Sequence, residues 1–148
     1  MLLRLLVFVA CTAVSFSCKC RKLPPNEAYC NANWVSHVRV TVSKIVQDEM
    51  VGPRQQYTVK HVRVFKNPPG CSSLPTEVFT SPSSASCGVS LDVGKEYLLS
   101  GSYDNKTLSS GSCGQISSDD PNDSFFGIVP EWKDVSANFL KQIESFKC

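Results

Sequence analysis

The chain has 148 residues, with 15 Lys and Arg against 13 Asp and Glu and a formal charge of +2. That near-balance gives no sign of the concentrated basic patch that nucleic-acid binding calls for. The length suits one domain able to bury about two-thirds of its unfolded surface. Arg4 followed by the apolar run Leu5 to Val14 reads as an export signal. Ser15 and Ser17 occupy the −3 and −1 positions of a small-residue cleavage site. Cutting after Ser17 makes residues 1–17 a signal peptide and 18–148 the mature domain, with Cys18 as its first residue. The apolar run is short of the ~20 residues a membrane span needs, and no other segment qualifies, so a soluble secreted product without a membrane segment is expected.

Past Cys30, Val38, Val40 and Val42 alternate with Arg39, Thr41 and Ser43, the period of a half-buried strand. Gly52-Pro53 marks a turn. A second strand is expected over Tyr57 to Phe65, with Val62 and Val64 alternating against His61 and Arg63, and Asn67-Pro68-Pro69-Gly70 ends it. Short strands are expected at Glu77–Thr80, Lys95–Ser100 and Lys106–Ser110, with a Ser/Pro-rich loop from Ser81 to Ser86. From Glu131 the period becomes helical: Trp132, Val135, Phe139, Leu140, Ile143 and Phe146 share one stripe. Five short strands and a closing helix suggest a mostly β fold, a small antiparallel barrel of which the OB-fold is the five-stranded candidate.

Of the eight cysteines, Cys11 leaves with the signal. Cys18, Cys20, Cys30, Cys71, Cys87, Cys113 and Cys148 read as a disulfide framework, since an exported chain meets an oxidising environment. An odd number leaves one thiol unpaired or bonded between chains. Zinc is the rival reading. It fails on spacing, because Cys18-Lys19-Cys20 is not a CxxC knuckle and only His37 and His61 remain as helpers. An enzyme is not expected either. Neither histidine sits in a recognisable catalytic setting, the serines form no Gly-x-Ser-x-Gly elbow, and a Cys–His hydrolase needs a free thiolate. Asp119-Asp120 beside Pro121-Asn122 has the composition of a solvated turn. Asn105-Lys106-Thr107 and Asn122-Asp123-Ser124 are glycosylation sequons.

Cys18-Lys19-Cys20, nine residues to Cys30, and Asn31 leading into a valine-rich strand resemble the start of the tissue inhibitors of metalloproteinases. Tyr57-Thr58-Val59-Lys60, Val64-Phe65-Lys66, Ser86-Cys87-Gly88, Tyr97-Leu98-Leu99-Ser100-Gly101, Cys113 and a helix ending at Cys148 continue the likeness. It covers the family's N-terminal, netrin-like domain, in the manner of single-domain inhibitor-like proteins secreted by nematodes. The resemblance implies an OB-fold barrel stapled by Cys18–Cys87, Cys20–Cys113 and Cys30–Cys148, with Cys71 left over. It also implies a function: Cys18, as N-terminal residue, chelates the catalytic zinc of an extracellular metalloproteinase.

By the same resemblance the protease contacts are Cys18, Lys19, Cys20 and Arg21, with the ridge Ser84, Ala85, Ser86, Cys87 and Gly88 beside them. Inhibitory members place Thr or Ser after the first cysteine, facing the protease's S1′ pocket, whereas this chain has Lys19, followed by Arg21 and Lys22. No cofactor of its own is implied; zinc enters only with the protease. The expected state is a monomer, with a covalent dimer through Cys71 as the other option. The alternative function is a netrin-like extracellular binding or immunomodulatory module without protease inhibition.

Overall fold

A computed structural model describes residues 18–123 and 128–148. The signal segment, residues 1–17, and Ser124 of the second sequon lie outside the described residues. The elements in order are α1 (Pro25–Asn31), β1 (Trp34–Asp48), β2 (Gly52–Lys66), β3 (Glu77–Thr80), β4 (Glu96–Asp104), β5 (Thr107–Ser109) and α2 (Ala137–Ser145). The strands close into a barrel in the order β1-β2-β3-β5-β4, and β4 returns to β1. One junction departs from the expected antiparallel barrel. β3 and β5 run parallel, pairing Val78 with Leu108 and Phe79 with Ser109.

The barrel interior is filled by alternating residues from facing strands. Trp34, Val38 and Val40 of β1 meet Tyr57 and Val59 of β2, Val78 of β3, Tyr97 and Leu99 of β4 and Leu108 of β5. The buried aromatics place their polar atoms on backbone partners. Trp34 Nε1 donates to the Ser102 carbonyl at 3.0 Å, and Tyr57 Oη bridges Val89 and Leu91 at 3.2 and 3.1 Å. β4 is buried on both faces: Tyr97 and Leu99 point inward, while Leu98 points out under the helices. There it joins Ala28 and Tyr29 of α1, Val35 of β1, Ile116, and Phe139 and Ile143 of α2. Each such large side chain contributes about 2–3 kcal/mol on burial.

Period-two reading placed β1, but irregularities in the β1–β2 register altered its faces. Shifts between His37 and Val38 and between Val40 and Val42 leave Val38 and Val40 buried and Val42 45% exposed. On β2 the expected phase is inverted. Tyr57 and Val59 face the core with His61 half-buried in line, whereas Val62 and Val64 point outward at 50% and 38% exposure. The expected turn lies one step earlier, over Glu49–Val51, and Gly52 with φ +82° opens β2.

The C-terminal helix is shorter than its apolar stripe. Trp132–Asp134 forms a 3₁₀ turn, Val135 is extended, and α2 begins only after Ser136, whose Oγ accepts from Phe139 N at 3.1 Å. A serine that satisfies an orphan backbone N–H starts the helix where it stands. α1 was not anticipated. Pro25 occupies its first turn, a position where the missing N–H costs nothing. Its far end is held by Lys66, whose ammonium donates to the carbonyls of Tyr29, Cys30 and Ala32 at 2.8, 3.0 and 2.6 Å. Among the described residues no helix is long and apolar enough to cross a membrane.

Candidate functional site: a clamped edge beside an exposed ridge

Residues 18–24 form no helix or strand and are held by covalent bonds instead. Cys18 is bonded to Cys87 and Cys20 to Cys113, with Cα–Cα distances of 5.1 and 5.0 Å. The two bridges lie against one another: Cys18 Sγ is 3.8 Å from Cys20 Sγ and 3.5 Å from Cys113 Sγ. Cys113 Sγ is in turn 3.7 Å from Cys87 Sγ. Cys18, Cys20 and Cys113 thus gather three sulfurs in the manner of a metal site. All three are disulfide sulfurs with no thiolate to give, so the cluster is structural. The third bridge, Cys30–Cys148, ties the end of α1 to the end of the chain at a Cα–Cα distance of 5.4 Å.

The partner loop is built to present a ridge. Ser83 Oγ accepts from Ala85 N at 3.2 Å, and Ser86 N and Gly88 N both donate to the Ser83 carbonyl at 3.2 and 3.0 Å. Ser84–Ser86 make one 3₁₀ turn, all three exposed, and Cys87 follows in the left-handed region at φ 62°. That conformation is costly for a residue with a Cβ, and here the Cys18–Cys87 bond holds it. Gly88 is required by space: a Cβ there would stand 2.1 Å from the Ser81 carbonyl oxygen.

A third segment carries Cys113, and its contribution was not read from the sequence. Ser112 N donates to the Cys87 carbonyl at 2.9 Å, and its Oγ lies 3.4 Å from Cys18 Sγ. Gln115 is buried and donates from Nε2 to the carbonyls of Gly111 and Ser100 at 2.7 and 3.2 Å. Its Oε1 accepts from Ser100 N at 3.3 Å. This amide therefore locks the Cys113 turn onto β4. The one available clue was a glutamine two residues past a cysteine, too common to single out. At the edge itself Cys18 and Cys20 are half-buried, while Lys19, Arg21 and Lys22 are exposed.

The remaining sequence candidates lie elsewhere. Asn105 is exposed in the β4–β5 turn, with Thr107 Oγ1 donating to its carbonyl at 3.4 Å; Asn122 is exposed on a separate turn. Cys71 is outside all three bridges, but it is half-buried against the barrel core rather than freely exposed, and its Sγ donates to the Ser73 carbonyl at 3.2 Å. His37 is buried, stacked on Trp132 at 3.7 Å, with Nε2 2.7 Å from Glu96 Oε2. That contact, with help from Arg39, holds the Glu96 carboxyl below the usual range. His61 faces the hydroxyl of Ser36, Nδ1 to Oγ 2.9 Å, and Nε2 donates to the Pro75 carbonyl at 2.9 Å. Burial pushes the His61 imidazole below its usual pKa. Ser36 is fully buried, so this Ser–His contact has no route to a substrate.

The closed five-stranded barrel, the helix against its flank and the three bridges define a netrin-like protein of the OB-fold class. Residues 16–120 match the family model described as "Tissue inhibitor of metalloproteinase". The Caenorhabditis elegans protein named "Putative metalloproteinase inhibitor tag-225" is 39% identical over 153 residues, covering 99% of this chain and 97% of that relative. Human metalloproteinase inhibitor 2 is 39% identical over 92 residues, covering 57% of this chain and 40% of that relative. The rabbit (Oryctolagus cuniculus) protein of the same name is 38% identical over 91 residues, 57% of this chain and 45% of its own. This chain belongs to the tissue inhibitor of metalloproteinase family. It spans nearly the whole nematode relative and under half of the mammalian ones. Members of this family are inhibitors of metalloproteinases, not enzymes.

Proposed function

We propose that this protein, secreted and cut after Ser17, inhibits an extracellular zinc metalloproteinase by placing Cys18 on the enzyme's zinc. The observation that supports this reading is the pair of stacked bridges, which fix Cys18 and Cys20 beside the exposed ridge Ser84–Ser86. A catalytic zinc holds three protein ligands and leaves a fourth position to water. The α-amino nitrogen and carbonyl oxygen of a first residue form a five-membered chelate that displaces that water. An α-amino pKa near ~8 makes the free amine accessible at neutral pH, more so beside a dication. The bridges remove the ordering cost a loose peptide would meet on binding. Residues 18–21 and 84–87 then enter the protease cleft together, with the Lys19 side chain at S1′. The zinc belongs to the protease.

Lys19, where inhibitory relatives carry Thr or Ser, favours a second reading: a netrin-like module that engages another extracellular partner. An inhibition panel on mature protein with a verified Cys18 terminus separates the two. One extra residue before Cys18 removes the chelating amine and should weaken inhibition at least about a hundredfold, about 2.7 kcal/mol, with an unchanged circular dichroism spectrum. Equal inhibition by the extended and authentic forms would rule out chelation. Inactivity of the authentic form, and of a Lys19→Thr variant, would hand the protein to the second reading.

A further inference from the structure

The segments joined at the clamp, residues 18–22, 83–88 and 111–115, contain Lys19, Arg21 and Lys22 and not one Asp or Glu; Asp92, Asp119 and Asp120 follow four or five residues further on. The chain as a whole is nearly balanced, 15 basic against 13 acidic, so the asymmetry is local to this edge. Six of the other described cations are partnered, while Lys44, Lys60, Lys106, Lys141 and Lys147 are, like the edge cations, exposed and outside any ion pair. Arg39, Arg54, Arg63, Lys95 and Lys133 each meet a carboxylate, and Lys66 is taken up by the α1 carbonyls. Among the described residues Lys19, Arg21 and Lys22 form no ion pair, and all three are exposed.

Covalent geometry denies these charges an escape. Lys19 lies between two cysteines that are both bonded into the body, and Arg21 directly follows the second. Their backbones cannot swing away when the edge docks; only the side-chain stems flex. An ammonium driven unpaired into an apolar pocket loses its water at a cost of several kcal/mol. The same ammonium set against a carboxylate in a partly dry interface adds coupling energy and accelerates encounter.

We infer, resting on the chelation reading above, that the target protease is acidic around its zinc: a carboxylate on the wall of the S1′ subsite receives Lys19, and an acidic rim faces Arg21 and Lys22. The charge of this edge disfavours proteases whose S1′ pocket is wholly apolar.

The test uses two forms of one metalloproteinase catalytic domain, one with an apolar S1′ wall and one with a glutamate introduced there. Inhibition constants are measured at low and high salt for the mature wild type, Lys19→Thr, and the Arg21→Ser/Lys22→Ser pair. The wild type should favour the acidic wall by about tenfold or more, and Lys19→Thr should reverse that preference. The Arg21→Ser/Lys22→Ser pair should flatten the salt dependence. All substituted side chains are exposed, and thermal melts confirm the fold of each variant. A wild type that favours the apolar wall, or a preference unchanged in an inhibitory Lys19→Thr, overturns the inference while leaving chelation intact. Failure of both wild type and Lys19→Thr against both forms sinks chelation and the inference with it. Heparin retention lost in the Arg21→Ser/Lys22→Ser pair with unchanged inhibition constants would assign those two cations to a sulfated polysaccharide and overturn the acidic rim.

Discussion

The clamped edge and the far half of the β1–β2 hairpin are built in opposite ways. The edge, residues 18–22 with 81–88, contains a single 3₁₀ turn and no strand, yet two bridges and the Ser83 and Ser112 hydrogen bonds fix it. The hairpin carries an unbroken antiparallel ladder from Val42–Thr58 to Asp48–Gly52 and no covalent support. Apart from Tyr57, which enters the core, and Val46, which is half-buried, its apolar side chains face water: Val42 is 45% exposed, Ile45 53%, Val51 68% and Met50 94%. Regularity and rigidity are therefore separable. A ladder sets register with little burial behind it, while a cross-link sets position without a ladder. A surface that must deliver one nitrogen to a metal needs position above all.

The strongest way to break this contrast is to remove a clamp. The Cys20–Cys113 bridge closes a loop with a sequence separation of 93, for which the chain-entropy model assigns about 4–5 kcal/mol. The double substitution Cys20→Ser with Cys113→Ser should lower the urea midpoint accordingly and cost inhibitory potency beyond that. Unchanged potency in the still-folded variant would mean that Gln115 and the backbone turns hold the edge alone.

Acid should separate the two regions by chemistry. Asp48, in the hairpin turn, accepts from Met50 N at 2.9 Å and Val51 N at 3.2 Å, and these bonds hold its carboxyl below the usual value of 3.8. A carboxyl lowered in the folded state stabilises above its unfolded pKa and loses that contribution as pH falls through the folded one. Below about pH 3.8, then, the Met50 and Val51 amide resonances should move as the turn loosens. Resonances of 84–88 should stay still, because the edge has no carboxylate to protonate. Coincident movement of both sets would show that the hairpin and the edge loosen together.

What the sequence made legible follows the same division. Alternation located β1 because a half-buried strand carries its burial in the period, and the family resemblance supplied the cysteine order. The phase of β2 was misread, since the register shifts against β1 between His37 and Val38 and between Val40 and Val42 leave no mark in the period-two pattern. The helix was read too long because an apolar stripe records which side chains are buried, not whether the backbone turns between them. Ser136 was the overlooked start of α2, and Pro25 that of α1. At the edge, charge was legible at once in Lys19, Arg21 and Lys22. The approach of Ser81 to Gly88 and the grip of Gln115 join positions remote in sequence, and nothing short of the fold displays them.

The smallest expected effect lies in the hairpin. Ile45 pairs with Gln55 across the ladder and keeps half its surface in water, so truncation empties no cavity. Ile45→Ala should change global stability by no more than about 0.5 kcal/mol, the range for surface sites free of special contacts. Val40, on the same strand and 1% exposed, gives the internal control: Val40→Ala removes two methyl groups from the barrel core and should cost about 2 kcal/mol. Denaturant midpoints at constant slope measure both. If Ile45→Ala costs as much as Val40→Ala, the ladder beyond the barrel shares the cooperative unit of the core, and the hairpin is no longer a region apart.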